Sequence, residues 1–387
     1  MNRYYFDHNA TTPVSEEVLG ALLPVLREDF GNASSIHDYG RKAKSHVEEA
    51  RRRVAALIGA PANDVVFTSG GTESDNLAVF GTVRNDPRPT KHVITTAIEH
   101  PAVLAACAQL EREGIEVTTV GVTPEGAVDP DDVRRALRPE TVLVSVMHAN
   151  NELGSVQPVA EIARIAHEAG ALMHSDGVQA LGKIPVDVGA LGVDLYSLTG
   201  HKVYAPKGCG ALYIRKGVPL GPVQFGGHHE NGFRPGTVNV PGAVALGAAC
   251  AWLQDNMASE NARVAALRDH LEAALLDRIP DSGVNSARAP RTPNTANVWF
   301  DGISSEALLI ALDLRGFAVS AGAACSSGAT EPSHVLVALG LPAERARSCM
   351  RFSLGRLNDE AQVSALIDAI DSCVDRLRRM SPRYSHA

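Results

Sequence analysis

Short apolar runs rich in β-branched residues alternate with stretches of helical periodicity through the first two-thirds of the chain. Seven runs of about 4–8 residues have the composition of strands. Residues 101–113, 131–137 and 158–168 have helical spacing between them, and residues 16–29 form an amphipathic stretch ahead of the first run. This alternation predicts an α/β fold whose mostly parallel seven-stranded sheet carries helices on both faces. The runs are DVVFTS, KHVITT, IEVTTVGV, TVLVSVMHAN, ALMHSD, VDLYSLT and GALYIR.

The pattern changes after residue 240. Residues 241–279 are mostly helical in spacing, and residues 280–293, rich in Pro, Gly, Ser and Arg, have the composition of a surface connection. A strand (TANVWF), a helix (305–314), a loop, a strand (RFSL) and a long amphipathic helix follow. These elements predict a second, smaller α+β domain. The predicted boundaries are 15–260 for the large domain and 1–14 with 261–387 for the small one.

Composition and charge narrow the possible partners and location. The 387 residues carry a net charge of −8, which argues against a nucleic-acid groove or an anionic membrane as the main partner. No apolar run approaches the ~20 residues of a membrane-spanning helix, and the N-terminus lacks a signal-peptide pattern. The six cysteines are scattered, without a disulfide framework or zinc-ligand spacing. We therefore expect a cytoplasmic protein with no metal site.

A lysine and an acid follow two predicted strands. Lys202, in GHKVYAPKG, stands beside Thr199 and His201, which are donors suited to a phosphate. Asp176 and Gln179 follow the end of an earlier strand, and ligands of open α/β sheets bind at the carboxyl ends of strands. Taken singly, the lysine is a solvated surface group and the acid a helix N-cap. Together they suit pyridoxal phosphate, which needs a Schiff-base lysine and an acid at its ring nitrogen.

Three other strand ends carry candidate contacts. Gly71 and Thr72 lie in a turn of TSGGTESDN that leads into a helix opened by Glu73, where bare backbone N–H groups attract a phosphate, although plain capping explains such a turn as well. His100 precedes a helix that starts with proline, and Asn151 ends an apolar strand. Each has a structural interpretation, as a helix-start residue and a turn residue. Each is also a candidate contact of the cofactor.

Cys325 lies in SAGAACSSGATEPS, where the small neighbours offer nothing to pack against. The other five cysteines fit buried core positions. An exposed thiol in a polar loop suits a reactive cysteine, either a nucleophile or a redox sensor.

A set of motifs in chain order resembles the cysteine desulfurases, pyridoxal-phosphate enzymes of the class-V aminotransferase family. The extended loop after Cys325 is similar to that of the NifS/IscS-like branch. The motifs cover nearly the whole sequence, and as a set they are specific. They are DHNATTP, FGNASSIHDYG, TSGGTESDN, EHPAVL, HANNELG, HSDGVQALGK, GHKVYAPKG, FRPGT, GAACSSG, EPSHVL and RFSLGR.

The resemblance implies a pyridoxal-phosphate-dependent transferase of fold type I and a role for each candidate. Cys325 is the catalytic cysteine, Lys202 the Schiff-base lysine and His100 a ring stack and proton carrier. Arg351 receives the substrate carboxylate, and Asn151 contacts both the substrate and the cofactor. Asp176 pairs with the ring nitrogen and Gln179 with the ring hydroxyl. The phosphate is bound by Gly71, Thr72, Thr199 and His201, together with Thr237 reaching across from the partner subunit of a homodimer.

The implied reaction converts L-cysteine to L-alanine and leaves the sulfur on Cys325 as a persulfide. An acceptor for iron–sulfur cluster assembly then takes that sulfur. The acceptor stays open between a nitrogenase scaffold, a general scaffold protein and tRNA or cofactor thiolation. The alternatives are a selenocysteine lyase, another pyridoxal-phosphate C–S lyase or aminotransferase, and a non-catalytic sulfur-relay scaffold.

Overall fold

The computed structural model describes residues 3–322 and 332–380. In chain order the strands are β1 (Tyr4–Tyr5), β2 (Val65–Thr68), β3 (His92–Thr96), β4 (Glu116–Val120), β5 (Thr141–Ser145), β6 (Leu172–Asp176), β7 (Leu195–Thr199), β8 (Gly210–Ile214), β9 (Ser282–Val284), β10 (Thr295–Phe300), β11 (Phe317–Ala318) and β12 (Cys349–Ser353). The α-helices are α1 (Glu16–Arg27), α2 (Asp38–Leu57), α3 (Gly71–Asn85), α4 (Pro101–Arg112), α5 (Pro130–Ala136), α6 (Val159–Glu168), α7 (Val188–Leu191), α8 (Val240–Arg278), α9 (Ser305–Asp313), α10 (His334–Ala338), α11 (Ala343–Ala346) and α12 (Glu360–Met380).

A seven-stranded sheet forms the centre of the larger part of the molecule. Its strand order is β2-β8-β7-β6-β5-β3-β4, and only β8 runs antiparallel to its neighbours. Successive residues point to opposite faces. Val93 and Leu143 therefore pack in a core with α3 and α4, whereas Ile94 and Val144 pack in a core with α2, α6 and α8. The predicted α/β class and the mostly parallel seven-stranded sheet are confirmed.

A second core lies around the three-stranded antiparallel sheet β12-β10-β9. The last part of α8, α9 and α12 pack on it, and Phe6 brings the N-terminal segment into the same core. Helix α8 is continuous and contributes residues up to Leu253 to the first core and residues from Val264 to the second. The domain boundary at residue 260 stays a prediction. Residue 260 lies in α8 between the part that packs in the first core and the part that packs in the second.

The elements depart from the sequence pattern in two places. Helix α3 begins at Gly71, before Glu73, because backbone rather than side-chain groups start it. Helix α2 was not predicted, since its buried stripe consists mainly of alanine and valine (Ala43, Val47, Ala50 and Val54) and gives a weak apolar signal among many charges. Within the described ranges, no helix is long and apolar enough to cross a membrane.

Candidate active site

A cavity of about 240 Å³ opens at the carboxyl edge of the large sheet. Every predicted site residue lines it except Thr237, which is exposed and lies elsewhere, and Cys325, which lies outside the described residues. The edge gathers these side chains because β6 and β7 are parallel neighbours that end together. The lining residues are Asn9, Ala10, Gly71, Thr72, Asp75, His100, Pro101, Met147, Asn151, Asp176, Val178, Gln179, Thr199, His201, Lys202 and Arg351.

The N-terminus of α3 supplies an anion site at one end of the cavity. Gly70 is its N-cap, with a φ of 155°, and Gly71 and Thr72 form the first turn, whose N–H groups have no partner within the helix. A Cβ added to Gly71 would lie 2.7 Å from Cγ2 of Val178, so only glycine fits there. The positive end of the helix dipole and the donors of Thr199 favour a phosphate here.

Asp176 ends β6 and is 4% exposed. Its Oδ1 accepts a hydrogen bond from the N–H of Val178 at 2.9 Å within a turn. The helix N-cap interpretation is wrong, because the next helix starts only at Val188. Burial raises the pKa of Asp176, while the nearby charges of His100 and Lys202 lower it. The carboxylate therefore sits where a cationic partner, such as a protonated ring nitrogen, would stabilise its charged form.

Asp75 is a buried acid of the site that the sequence reasoning missed. Burial first, and the Asp176 charge second, raise the pKa of Asp75 well above its usual range. Two carboxyl groups in one low-dielectric site do not both ionise readily, and the charges of His100 and Lys202 favour the ionised form at Asp176. The signal was the spacing: Asp75 follows Gly71 by four residues and shares its face of α3.

Lys202 follows β7, and its Nζ donates to the backbone carbonyls of Asn9 and Ala10, the latter at 2.6 Å. These carbonyls belong to the N-terminal segment, which enters the cavity from the second core. The surface-lysine interpretation is wrong, because Lys202 lines a cavity and bonds to a buried segment. Asn9 is a second residue that the sequence reasoning missed. It lay in a quoted motif, but nothing local indicated its contacts.

His100 is the N-cap of α4. Its Nδ1 accepts from the N–H of Ala102 at 3.1 Å, so the neutral ring carries its proton on Nε2. Burial lowers the pKa of His100, Lys202 and His334 lower it further, and Asp176 opposes them. The structural interpretation holds, because one ring nitrogen caps the helix. The ring also lines the cavity, and its role toward a cofactor stays a prediction.

Arg351 lies on β12 and is 1% exposed. Its Nη2 pairs with Oδ1 of Asp7 at 2.7 Å, and its Nη1 donates to the backbone carbonyl of Asn151 at 3.1 Å. Its Nε has no hydrogen-bond partner among the described residues. The alternative of a surface ion pair is wrong, because this guanidinium is buried. An incompletely paired buried guanidinium suits a carboxylate ligand.

These groups fit pyridoxal phosphate. The glycine-lined turn at α3 admits a phosphate, Asp176 offers a buried carboxylate, and Lys202 supplies an amine in the same cavity. Gln179 adds a side-chain amide to the same wall. The donor set therefore matches an anionic group, a basic ring nitrogen and an aldehyde that condenses with an amine.

Comparison with known proteins identifies the family of this chain. The class-V aminotransferase family matches residues 4–366. A cysteine desulfurase of Gluconacetobacter diazotrophicus is 47% identical over 389 residues, covering 100% of this chain and 97% of that protein. The chain belongs to the cysteine desulfurase family. The cysteine desulfurase IscS of Dictyoglomus turgidum is 45% identical, over 98% of this chain and 96% of its own.

Solved structures of related proteins have the same fold as this chain. One described as a NifS-like protein has a TM-score of 0.91 at 35% identity, and the match covers 97% of this chain and 100% of that one. The predicted family, its NifS/IscS-like branch and the fold are confirmed. Class-V aminotransferases of this kind depend on pyridoxal phosphate, so the predicted cofactor and enzyme class are confirmed as well.

Proposed function

We propose that this desulfurase removes sulfur from L-cysteine, releases L-alanine and carries the sulfur on Cys325 as a persulfide. The observation that carries the proposal is the single cavity that brings Lys202, Asp176 and Arg351 together from three separate elements. An amine, a buried acid and a cation for a carboxylate are what an amino-acid substrate and its cofactor need in one place.

We assign the cofactor contacts as follows. The first turn of α3 (Gly71, Thr72) holds the phosphate with Thr199 and His201, Asp176 pairs with the ring nitrogen, and Gln179 donates to the ring hydroxyl oxygen. His100 stacks on the ring and Asn151 lies beside it. When bound, pyridoxal phosphate supplies an electron sink that weakens the bonds at the substrate Cα.

Lys202 and His100 move the protons. Lys202 removes the proton from the substrate Cα and returns one to the product, which requires its Nζ to leave the carbonyls of Asn9 and Ala10. His100 takes the substrate thiol proton. The lone pair on Nδ1 of its neutral ring accepts the N–H of Ala102, so proton uptake there requires that hydrogen bond to break.

Cys325 performs the sulfur transfer. Its thiolate attacks the substrate sulfur, an S–S bond forms and the substrate C–S bond breaks. The electron pair of the broken bond stays on carbon and, after protonation, becomes a C–H bond of alanine. The transferred sulfur stays on Cys325 as the outer atom of a persulfide, which a second nucleophile can attack. Cysteine and the thiolate are thus converted to alanine and the persulfide, with no added oxidant.

The reaction is tested by incubating the pyridoxal-phosphate-loaded protein with L-cysteine and a thiol reductant. We expect one alanine for each sulfur released, and, without the reductant, one added sulfur on the peptide that contains Cys325 in mass spectrometry. Alanine without a sulfur adduct at Cys325 would contradict the persulfide step. No alanine at all would contradict the reaction.

Arg351→Gln is expected to raise the KM for L-cysteine by about 10–100-fold. The substitution removes a charged hydrogen bond worth about 1.5–3 kcal/mol to the substrate carboxylate. Initial rates at varied cysteine concentration measure it, and kcat should fall less than kcat/KM. Arg347→Gln, an exposed arginine four residues earlier, is the matched control. An unchanged KM in Arg351→Gln would remove Arg351 from the substrate site.

We further propose a homodimer whose subunits share active sites through Thr237. The segment of Thr237 is fixed to α3 by an ion pair between Arg234 Nε and Glu73 Oε1 at 2.9 Å, close to the phosphate turn. Thr237 itself is exposed, and Phe225 nearby in sequence is 87% exposed, as expected of an interface. A particle mass in solution twice the 40.9 kDa of the chain tests this proposal.

The sulfur acceptor that we propose is an iron–sulfur scaffold protein. Whether that scaffold serves nitrogenase or general cluster assembly depends on the partner rather than on this cavity, and a cytoplasmic location stays a prediction. A sulfur-transfer assay with a purified scaffold protein tests the acceptor: sulfur counted on its cysteines supports it, and none there contradicts it.

A further inference from the structure

Lys183 is a buried amine beside the active site that the proposed reaction does not use. It lies four residues after Gln179, in the segment that follows β6. Its Nζ donates to Oε1 of Gln179 and to Oδ1 of Asn9, the latter at 2.9 Å. Burial lowers the pKa of Lys183 well below its usual range, and the charges of Lys202 and Arg351 lower it further.

Asn9 connects this lysine to Lys202. Its Nδ2 donates to the carbonyl of Asn151 at 3.0 Å and to Oγ1 of Thr295 at 2.8 Å. Its Oδ1 accepts from Lys183, and its backbone carbonyl accepts from Lys202. Oδ1 also accepts from Nδ2 of Asn294 at 2.9 Å. A flipped amide would point Nδ2 at the groups that now donate to Oδ1 and would turn Oδ1 toward the carbonyl of Asn151. Lys183 and Asn294 together therefore hold the Asn9 amide in its orientation.

The same reasoning applies to Gln179. Its Oε1 faces Lys183, and its Nε2 donates to the backbone carbonyl of Asn9 at 3.0 Å. An amide NH₂ has two protons, and this bond uses one of them. Gln179 lines the cavity, so the second N–H is available to an acceptor there. Without the Lys183 donor on Oε1, only the bond from Nε2 to the Asn9 carbonyl opposes a turn of the amide oxygen toward the cavity.

We propose that Lys183 is a positioning residue of the cofactor site, which orients the Gln179 and Asn9 amides by donating hydrogen bonds to both. The Gln179 amide then presents N–H to the cavity, and the Asn9 side-chain amide keeps its bond to the carbonyl of Asn151. This inference rests on the proposed function, in which Gln179 meets the electron-rich ring hydroxyl oxygen of pyridoxal phosphate. That oxygen needs a hydrogen-bond donor. A flipped Gln179 amide would instead face it with the amide oxygen, which is an acceptor.

The test measures pyridoxal phosphate binding to the cofactor-free protein, by titration, and the visible absorption band of the bound cofactor. Lys183→Met removes the donor at similar length, and we expect about tenfold weaker binding and a displaced band. Lys183→Arg keeps the donors and should bind within about threefold of the unaltered protein. Lys216→Met removes an exposed lysine instead and should change neither quantity.

Gln179→Ala separates this inference from the proposed function. Because Lys183 acts through Gln179, the double variant Lys183→Met/Gln179→Ala should bind the cofactor as Gln179→Ala does. Losses that multiply in the double variant, or a Lys183→Met protein with unaltered affinity and spectrum, would overturn the positioning role alone. No cofactor binding by the unaltered protein would refute the proposed function as well.

Lys183→Leu repeats the test should Lys183→Met fail to fold, because leucine also removes the donor to both amides. Weakened cofactor binding with a displaced band supports the inference, and binding equal to that of the unaltered protein overturns it.

Discussion

Lys202→Ala is expected to slow alanine formation from L-cysteine by about 10³-fold, the range found when a general acid–base group is removed. Among the described residues, Lys202 is the one lysine that lines the cavity, where it bonds to the carbonyls of Asn9 and Ala10. Its loss therefore removes the group that moves the Cα proton. Rates measured with and without added pyridoxal phosphate check the expectation.

Two controls separate chemistry from folding in this variant. Lys207→Ala removes an exposed lysine of the same loop and should keep nearly the full rate. Lys202→Ala should still bind pyridoxal phosphate, because Asp176 and the first turn of α3 remain, but without the absorption band of the lysine adduct. A rate within about tenfold of the unaltered enzyme would contradict the assigned role, since general acid–base groups contribute more than that.

Cys325→Ala is expected to abolish the persulfide and to slow alanine formation by about 10³-fold or more, as the loss of a nucleophile does. No described cysteine replaces it. Burial raises the pKa of the Cys107, Cys209, Cys250 and Cys349 thiols to about 12, so at neutral pH they are not thiolates. The measurement is mass spectrometry of the protein after L-cysteine, with alanine counted in parallel.

Cys373→Ala is the matched control for that variant. Cys373 is buried in the second core, so the substitution should reduce stability slightly but leave sulfur transfer to Cys325 intact. Alanine formation at the full rate in Cys325→Ala would show that the C–S bond breaks without a protein nucleophile. The enzyme would then be a C–S lyase of the alternative kind.

Much of the candidate site followed from local sequence, because its residues stand at strand and helix ends. Asp176 and Thr199 end parallel strands, and Gly71 and His100 start helices, so their positions at one sheet edge follow from the strand pattern. Patterns of this kind also predicted the sheet. They could not distinguish helix capping from cofactor binding at His100. The ring caps α4 and also lines the cavity, where a cofactor would bind.

Other parts of the site depend on contacts that no local pattern encodes. Asn9 meets Lys202 across 193 residues of chain, and Arg351 meets Asp7 across 344. Asp75 and Lys183 look like ordinary charged residues of a helix and a loop until the fold desolvates them. Burial and charge neighbours decide their protonation, and both are properties of packing.

The sequence by itself determined the α/β class, the family and the chemical groups of the cavity, because strand ends and motifs are local features. Only the tertiary structure decided how those groups are oriented. It buried Arg351 against Asp7, bonded the Nδ1 of His100 to its own helix, and placed Lys183 where its amine orients two amides. The physical reason is that hydrogen-bond direction and desolvation arise when distant segments pack together, and a linear pattern does not contain them.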